Sequence, residues 1–254
     1  MRLVISQPML MPWRGIFEQV LLCDQFVFYD DVQLPLGGGR GRGYVTRVQI
    51  KTERGVDWLS LPVARSSQGK QLIVEARFGH LNWKVEHLGK ITQAYRRAPF
   101  FEEVFESVIR PIYALDTDSV SAFCIHSMDR LCRTLGLAPP TLASSNMDIS
   151  QDLGASERVL ALCRRLGATD YLSGLGAMNY IDYALFERSG VNIHYMDYAL
   201  APYPQLYGEF TPFVSVIDLL FNVGAAGAPA HLGSRAVYWK DWPCHVDGRP
   251  SRPA

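Results

Sequence analysis

Short uncharged apolar runs recur along this chain, each separated from the next by a segment of helical period, and that alternation leaves few folds open. Leu3-Val4-Ile5 and Phe26 to Tyr29 read as buried strands, and Gly15 to Cys23 between them carries apolar residues at helical spacing. Strand, helix, strand at this spacing forms a parallel pair, because parallel strands need a crossover and a helix supplies one. The pattern returns after residue 140. Thr141 to Ala143 is short and apolar, and a helix follows with Val159, Leu162, Cys163 and Leu166 on one side. Next come a strand at Asp170 to Ser173, a helix near Ala177 to Arg188, a strand from Val191 to Met196 and a buried helix over Phe213 to Val223. The expectation is an α/β fold, a mostly parallel sheet flanked by helices.

The middle of the chain breaks that rhythm. Val45 to Ile50, Trp58 to Val63 and Leu72 to Ala76 alternate as strands, with Glu53-Arg54-Gly55 as a turn, which predicts a β-rich insertion built as a meander. Leu34 to Gly43 is glycine-rich, carries Arg40 and Arg42, and reads as a loop. From Trp83 to Leu135 the period is helical, and Gly136 with Pro139 and Pro140 beyond it ends that segment. The chain is thus expected to form one α/β domain over residues 1–228. Residues 1–80 would form an N-terminal part with the meander, 81–140 a helical segment and 141–228 a C-terminal part. A tail over 229–254 follows, part of which docks through Tyr238, Trp239 and Trp242.

Composition narrows the function classes. Twenty-five basic and 25 acidic residues cancel, so no overall field draws the chain to nucleic acid or an acidic membrane. No stretch approaches the roughly 18 apolar residues of a membrane span, and the first apolar run is too short for a signal peptide, so a cytoplasmic protein is expected. The 5 cysteines form no Cys-x-x-Cys pair and read as reduced, buried thiols. Cys124, His126 and Cys132 lack zinc-ligand spacing, and no metal site is expected.

In open α/β sheets ligands bind beyond the carboxyl ends of the strands. Three of those positions are polar here: Ser6-Gln7-Pro8, Asp30-Asp31-Val32-Gln33, and Ser173-Gly174-Leu175-Gly176. The last, as a glycine turn leading into a helix, reads either as an anion site or as a plain tight turn. Asp30 and Asp31 read either as a base and its neighbour or as solvated side chains. Trp13 stands at the start of the first helix, beside Gly15, either to stack on a sugar or base or to cover the core. His87, in an aromatic helical stretch, is either a general base or a hydrogen-bonded structural group. No Gly-x-Ser-x-Gly elbow, Gly-Lys-Ser/Thr phosphate loop or His-Glu-x-x-His helix is present, which disfavours the common hydrolase, kinase and metalloprotease readings.

From Val4 to Gly224 the unusual segments together resemble the WbqC-like protein family. They are Gln7-Pro8 with Leu10, Pro12-Trp13 and Gly15, then Asp30 to Gln33, Arg47, Ile50-Lys51, Trp58-Leu59 and Pro62-Val63. Trp83 with His87, Tyr95 with Ala98-Pro99-Phe100, and Ser144-Ser145 follow. The most specific are Tyr171 to Gly174 with Gly176-Ala177, Tyr180-Ile181-Asp182, Tyr203 with Gln205, and Ser215 to Asn222. Two positions depart from the family pattern: Ser6 stands where a histidine is usual, and Thr46 and Val48 flank Arg47 where asparagines are usual.

The resemblance implies a place among genes for O-antigen and other surface polysaccharides, and a glycine or aminoacyl transferase role. On that basis the leading expectation is a transferase that moves an acyl group from a donor, free or carrier-bound, to the amine of an amino sugar or similar small molecule. Asp31 or His87 would be the base, and Gln7 and Arg47 the oxyanion donors. Substrate would be held by Trp13, Asp30, Gln33, Lys51, Ser145, Ser173, Gly174, Gly176, Tyr180 and Gln205, with Asp218 and Asn222 organising the site from a buried helix. No cofactor is required by this reading. Two alternatives are an ATP-dependent amide ligase or nucleotidyltransferase, which would use ATP with magnesium, and a noncatalytic small-molecule-binding protein. Against the ligase or nucleotidyltransferase reading, Gly15 is followed by Ile16 where the His-x-Gly-His nucleotide-binding signature has histidine.

Overall fold

The computed structural model describes residues 1–35, 43–64, 69–80, 82–246 and 249–250. Arg40 and Arg42 lie outside them. Ten strands and eight α-helices are labelled here in chain order.

A six-stranded sheet forms the centre, and it is mixed but mostly parallel. Its strands are β1 (Arg2–Ser6), β2 (Gln25–Phe28), β5 (Thr141–Ala143), β6 (Asp170–Ser173), β7 (Asn192–Asp197) and β8 (Arg235–Tyr238), in the order β5-β2-β1-β6-β7-β8. The first five run parallel and β8 is antiparallel to β7. The apolar runs are uncharged because the sheet is covered on both faces. Leu3, Ile5, Val27, Tyr171, Ile193 and Tyr195 point to one side, where α6 (Ala155–Arg165) and α7 (Tyr183–Arg188) pack. Val4, Phe26, Phe28, Leu172 and Met196 point to the other, toward α1 (Arg14–Leu21), α5 (Val120–Thr134) and α8 (Val216–Gly227). The expected α/β class is what the chain adopts. β8 and the docked Trp239 and Trp242 come from the region after residue 228, and both tryptophans belong to the α6–α7 core.

Between β2 and β5 the chain builds a separate layer. β3 (Arg47–Thr52) and β4 (Gly55–Ser60) form an antiparallel hairpin. The expected third strand is not formed. Leu72 to Ala76 instead runs beside the segment after β2, with Ile73 N–H donating to Val32 O and Val74 N–H to Asp30 O. The residues it buries are Ile73 and Ala76, three apart, and it does not pair with the hairpin.

Helix α2 (Trp83–Tyr95) follows, then α3 (Phe101–Val104), which runs through a π turn at Phe105–Ile109 into α4 (Arg110–Tyr113). Pro111 has no N–H to give, and the Arg110 N–H reaches back five residues to Phe105 O, so the ladder widens there.

The helix expected over Ala177 to Arg188 is divided. A 3-10 turn spans Leu175–Asn179, and α7 begins only at Tyr183, where the Asp182 side chain accepts the Leu185 N–H at 3.0 Å. Helix α8 breaks at Gly224, whose φ is 76°, and a Cβ there would lie 2.8 Å from the Phe100 ring.

Candidate functional site at the carboxyl edge of the sheet

The registers place the strand ends level with one another. Ser6 pairs with Phe28 and Phe28 with Ala143, while Val4 pairs with Leu172, which sets Gly174 beside Ser6. With neighbouring strands about 4.8 Å apart, Gln7, Tyr29, Ser144 and Gly174 leave the sheet along one edge. The chain crosses from one half of the sheet to the other between β1 and β6, so Gln7 and Gly174 flank the switch point, where open α/β sheets bind their ligands.

Asp30 and Asp31 stand two and three residues beyond β2, and both are buried. Asp31 pairs with Arg158 of α6, which is itself 5% exposed, and accepts hydrogen bonds from Ser144 Oγ and, at 3.2 Å, from Gln151 Nε2. Arg158 also donates to the Asp31 carbonyl at 3.3 Å and to Gln151 Oε1, and its guanidinium lies over the Tyr29 ring at 5.4 Å. Asp30 accepts from the Ser145 N–H at 3.0 Å and from Ser145 Oγ at 2.9 Å. Asp30 therefore ties the end of β2 to the turn after β5, Asp31 ties both to α6, and each oxygen of Asp31 already has a donor. That arrangement is a clamp, and it conflicts with Asp31 as a free base.

The surroundings of Gln7 and Gly174 are different in kind. Gln7 is half-buried, and its amide makes no hydrogen bond to a described residue. Ser173 accepts from Tyr171 Oη at 3.2 Å, and Tyr180, half-exposed, lies close by across the turn. Over Gly174 stand Gln19 of α1 and Tyr198, which follows β7; Gln19 Nε2 donates to Tyr198 Oη at 2.8 Å. A Cβ on Gly174 would meet both of those atoms at 3.5 Å, an ordinary contact distance, so Gln19 and Tyr198 stand directly over the glycine. Burial pushes the Tyr198 phenol well up, which keeps it a neutral donor.

Trp13 packs against the Tyr198 and Phe213 rings, with centroids 4.8 and 5.3 Å away, and folds across Gly15 so closely that a Cβ there would lie 2.3 Å from the indole. The close approach that Gly15 permits is thus that of Trp13 itself. Gly176 is exposed with open space around it and sits in the 3-10 turn. The helix start required for an anion site at the glycines is absent from this turn, since α7 begins seven residues further on with its own cap.

A second polar cluster lies behind, among β3, α2 and α8. Lys51 Nζ donates to Gln205 Oε1 at 3.0 Å and to Glu209 O at 2.5 Å. Asp218 accepts from Tyr95, Tyr203 and Gln205 at 3.0, 2.9 and 2.8 Å, and Asn222 Nδ2 donates to the Asp218 carbonyl at 2.8 Å. Burial raises the Asp218 carboxyl. These groups, expected to hold or organise substrate, lock the loop after β7 onto α8 and the hairpin.

Arg47 stacks on Trp58 at 4.5 Å, and Gln33 is exposed, bridged to Leu72. His87 is remote from the edge: Nδ1 is 3.0 Å from Tyr113 Oη, Nε2 is 3.1 Å from Ser60 O, and burial lowers its pKa to about 4. Both nitrogens are engaged in the core, so the structure opposes a base role for His87.

Gln19, Tyr198, Gln151 and Arg158 are the site residues that sequence reasoning missed. Their partners lie 120 or more residues away in three of the four pairings that define them, and no local pattern marks them. Among the described residues no group of three or more His, Cys, Asp or Glu is placed to hold a metal ion, and no helix is long and apolar enough to cross a membrane. A separate cavity of about 310 Å³ opens between α5 and β2, lined by Phe26, Phe28, Met128, Cys132 and Leu137 among others.

Comparison with known proteins agrees with the motifs laid along this edge. The chain is 32% identical over 233 residues to the uncharacterized protein Rv1507c of Mycobacterium tuberculosis, a match that spans 91% of this chain and 97% of that one. No solved structure matches. The family model for the WbqC-like protein family matches residues 7–229, from Gln7 at the end of β1 through α8, and the chain belongs to that family.

Proposed function

We propose that this protein is a transferase that forms an amide, moving a glycyl, aminoacyl or related acyl group onto the amine of an amino sugar or similar small molecule. Its setting would be surface polysaccharide or related biosynthesis. The observation that carries this reading is the polar edge at the switch point, where Gln7 leaves β1 beside Gly174, and Gln19 and Tyr198 place uncharged donors and acceptors over that glycine. In acyl transfer the amine nitrogen bonds to the acyl carbon, the bond from that carbon to the donor's leaving group breaks, and the amine proton passes to the leaving group or solvent. Neutral donors aimed at the carbonyl oxygen stabilise the charge that develops on it. With Asp31 and His87 both engaged, the chain's contribution is placement and oxyanion stabilisation, and Gln7 and Tyr198 are the residues that make it.

The test is mass spectrometry of products from the purified protein with a panel of amino sugars and activated amino acids. A new amide that disappears in Gln7→Ala supports the reading, and no product with any pair rejects it. The engagement of both expected bases favours one second reading, a noncatalytic small-molecule-binding protein. In the same experiment that protein would retain a ligand unchanged. An ATP-dependent ligase would release pyrophosphate or phosphate on mixing with acid and amine.

A further inference from the structure

Arg14, the first residue of α1, has the largest unmet demand for hydrogen-bond acceptors among the described residues. It is 2% exposed, yet Nε and Nη2 have no partner, and Nη1 reaches only the His231 carbonyl at 3.4 Å. The rings of Tyr203 and Phe210 lie 5.5 and 5.8 Å from its Cζ and cover the guanidinium, so an acceptor must approach along the edge where the N–H groups point. Glu18, one turn further along α1 and also buried, is the obvious counter-charge. It instead accepts from Ser234 Oγ at 2.5 Å, and Arg14 joins no ion pair among the described residues.

Arginine does not shed its proton to escape this situation. A buried guanidinium without a partner is strongly unfavourable, and its planar fork matches the paired oxygens of a carboxylate or phosphate. Other charges nearby are already matched: Lys51 by Gln205 and the Glu209 carbonyl, Asp218 by Tyr95, Tyr203 and Gln205. The helix start adds to the positive potential, since no side chain caps α1.

We infer that Arg14 anchors an oxyanion-binding site, taking a carboxylate or phosphate group between α1, the segment that carries Tyr203 and Phe210, and the turn that ends at His231. Tyr203 and Phe210 belong to the stretch between β7 and α8, which contains neither helix nor strand. The site does not depend on the amide-forming reading, because it requires only binding.

The experiment is thermal unfolding of the full chain in sodium phosphate, sodium acetate and sodium chloride at matched ionic strength, for wild type, Arg14→Met and Arg14→Lys. Phosphate or acetate should raise the wild-type midpoint saturably above chloride, and the salt that does so identifies the class of anion. Arg14→Met should be at least as stable as wild type in chloride and lose the rise, while Arg14→Lys should keep one with roughly tenfold weaker apparent affinity. An equal rise in wild type and Arg14→Met, as general salting-out would give, overturns the inference, as does no rise in wild type. Should Arg14→Met fail to fold, calorimetric titration of wild type and Arg14→Lys with phosphate and with acetate decides: no saturable heat with either salt rejects the site.

Discussion

Breaking the Asp31–Arg158 clamp is the sharpest test of how the carboxyl edge is held together. Each residue is 5% exposed, so removing either partner leaves a charge in a site that water does not reach. Such a loss costs about 3–5 kcal/mol, a large part of the roughly 5–15 kcal/mol by which domains are stable. Arg158→Met strands the Asp31 carboxylate with Ser144 and Gln151, and Asp31→Ala strands the guanidinium with Gln151 and the Asp31 backbone carbonyl. The double variant strands neither, so it should cost far less than the sum, with a coupling of about 2 kcal/mol or more. Urea unfolding followed by circular dichroism, for wild type, both single variants and the double, measures each term. Single losses below about 1 kcal/mol, or effects additive to within about 0.5 kcal/mol, would refute the clamp and return Asp31 to consideration as a free base.

Three further outcomes follow from particular contacts. His87 is held neutral by burial with a pKa of about 4, so above pH 6.5 it leaves stability unchanged. As pH falls from about 6.5 to 4 the unfolded chain takes up its proton first, and stability drops by about 3 kcal/mol. His87→Gln should show a shallower acid limb in unfolding experiments run across that window, and identical slopes would remove the argument. Gly224→Ala should cost about 2–5 kcal/mol, from a left-handed backbone and collision with Phe100, measured by urea unfolding. Gly176→Ala, with open space around it, should stay within about 0.5 kcal/mol, and equal effects at the two glycines would contradict the geometry. Gly15→Ala should displace Trp13 from Tyr198 and lower product formation more than it lowers the unfolding midpoint, and unchanged turnover would separate Trp13 from the site.

The parallel half of the fold was legible because its strands are buried on both faces, which makes Leu3-Val4-Ile5 and Tyr171-Leu172 uncharged runs. β8 was not, because an edge strand half-covered along its length shows neither a continuous apolar run nor clean alternation. Leu72 to Ala76 misled because a short β-prone apolar run looks the same in sequence whether it pairs in a sheet or lies along a neighbouring loop, as it does beside Asp30 and Val32. At the edge, the polar residues after each strand were legible because their position depends only on strand ends, and the registers bring Gln7, Ser144 and Gly174 to one edge. Their roles were not legible. Whether Asp31 is free depends on Arg158, 127 residues away, and whether His87 titrates near neutrality depends on Ser60 and Tyr113, which only folding brings to it.

The account turns on where a ligand sits. Amide chemical-shift mapping of the isotopically labelled protein, titrated with the amine that the mass-spectrometric panel identifies, locates it directly. Shifts centred on Gln7, Gly174 and Tyr198 are the predicted result. Shifts confined to Met128, Cys132 and Leu137 around the cavity between α5 and β2, with the sheet edge silent, would contradict it.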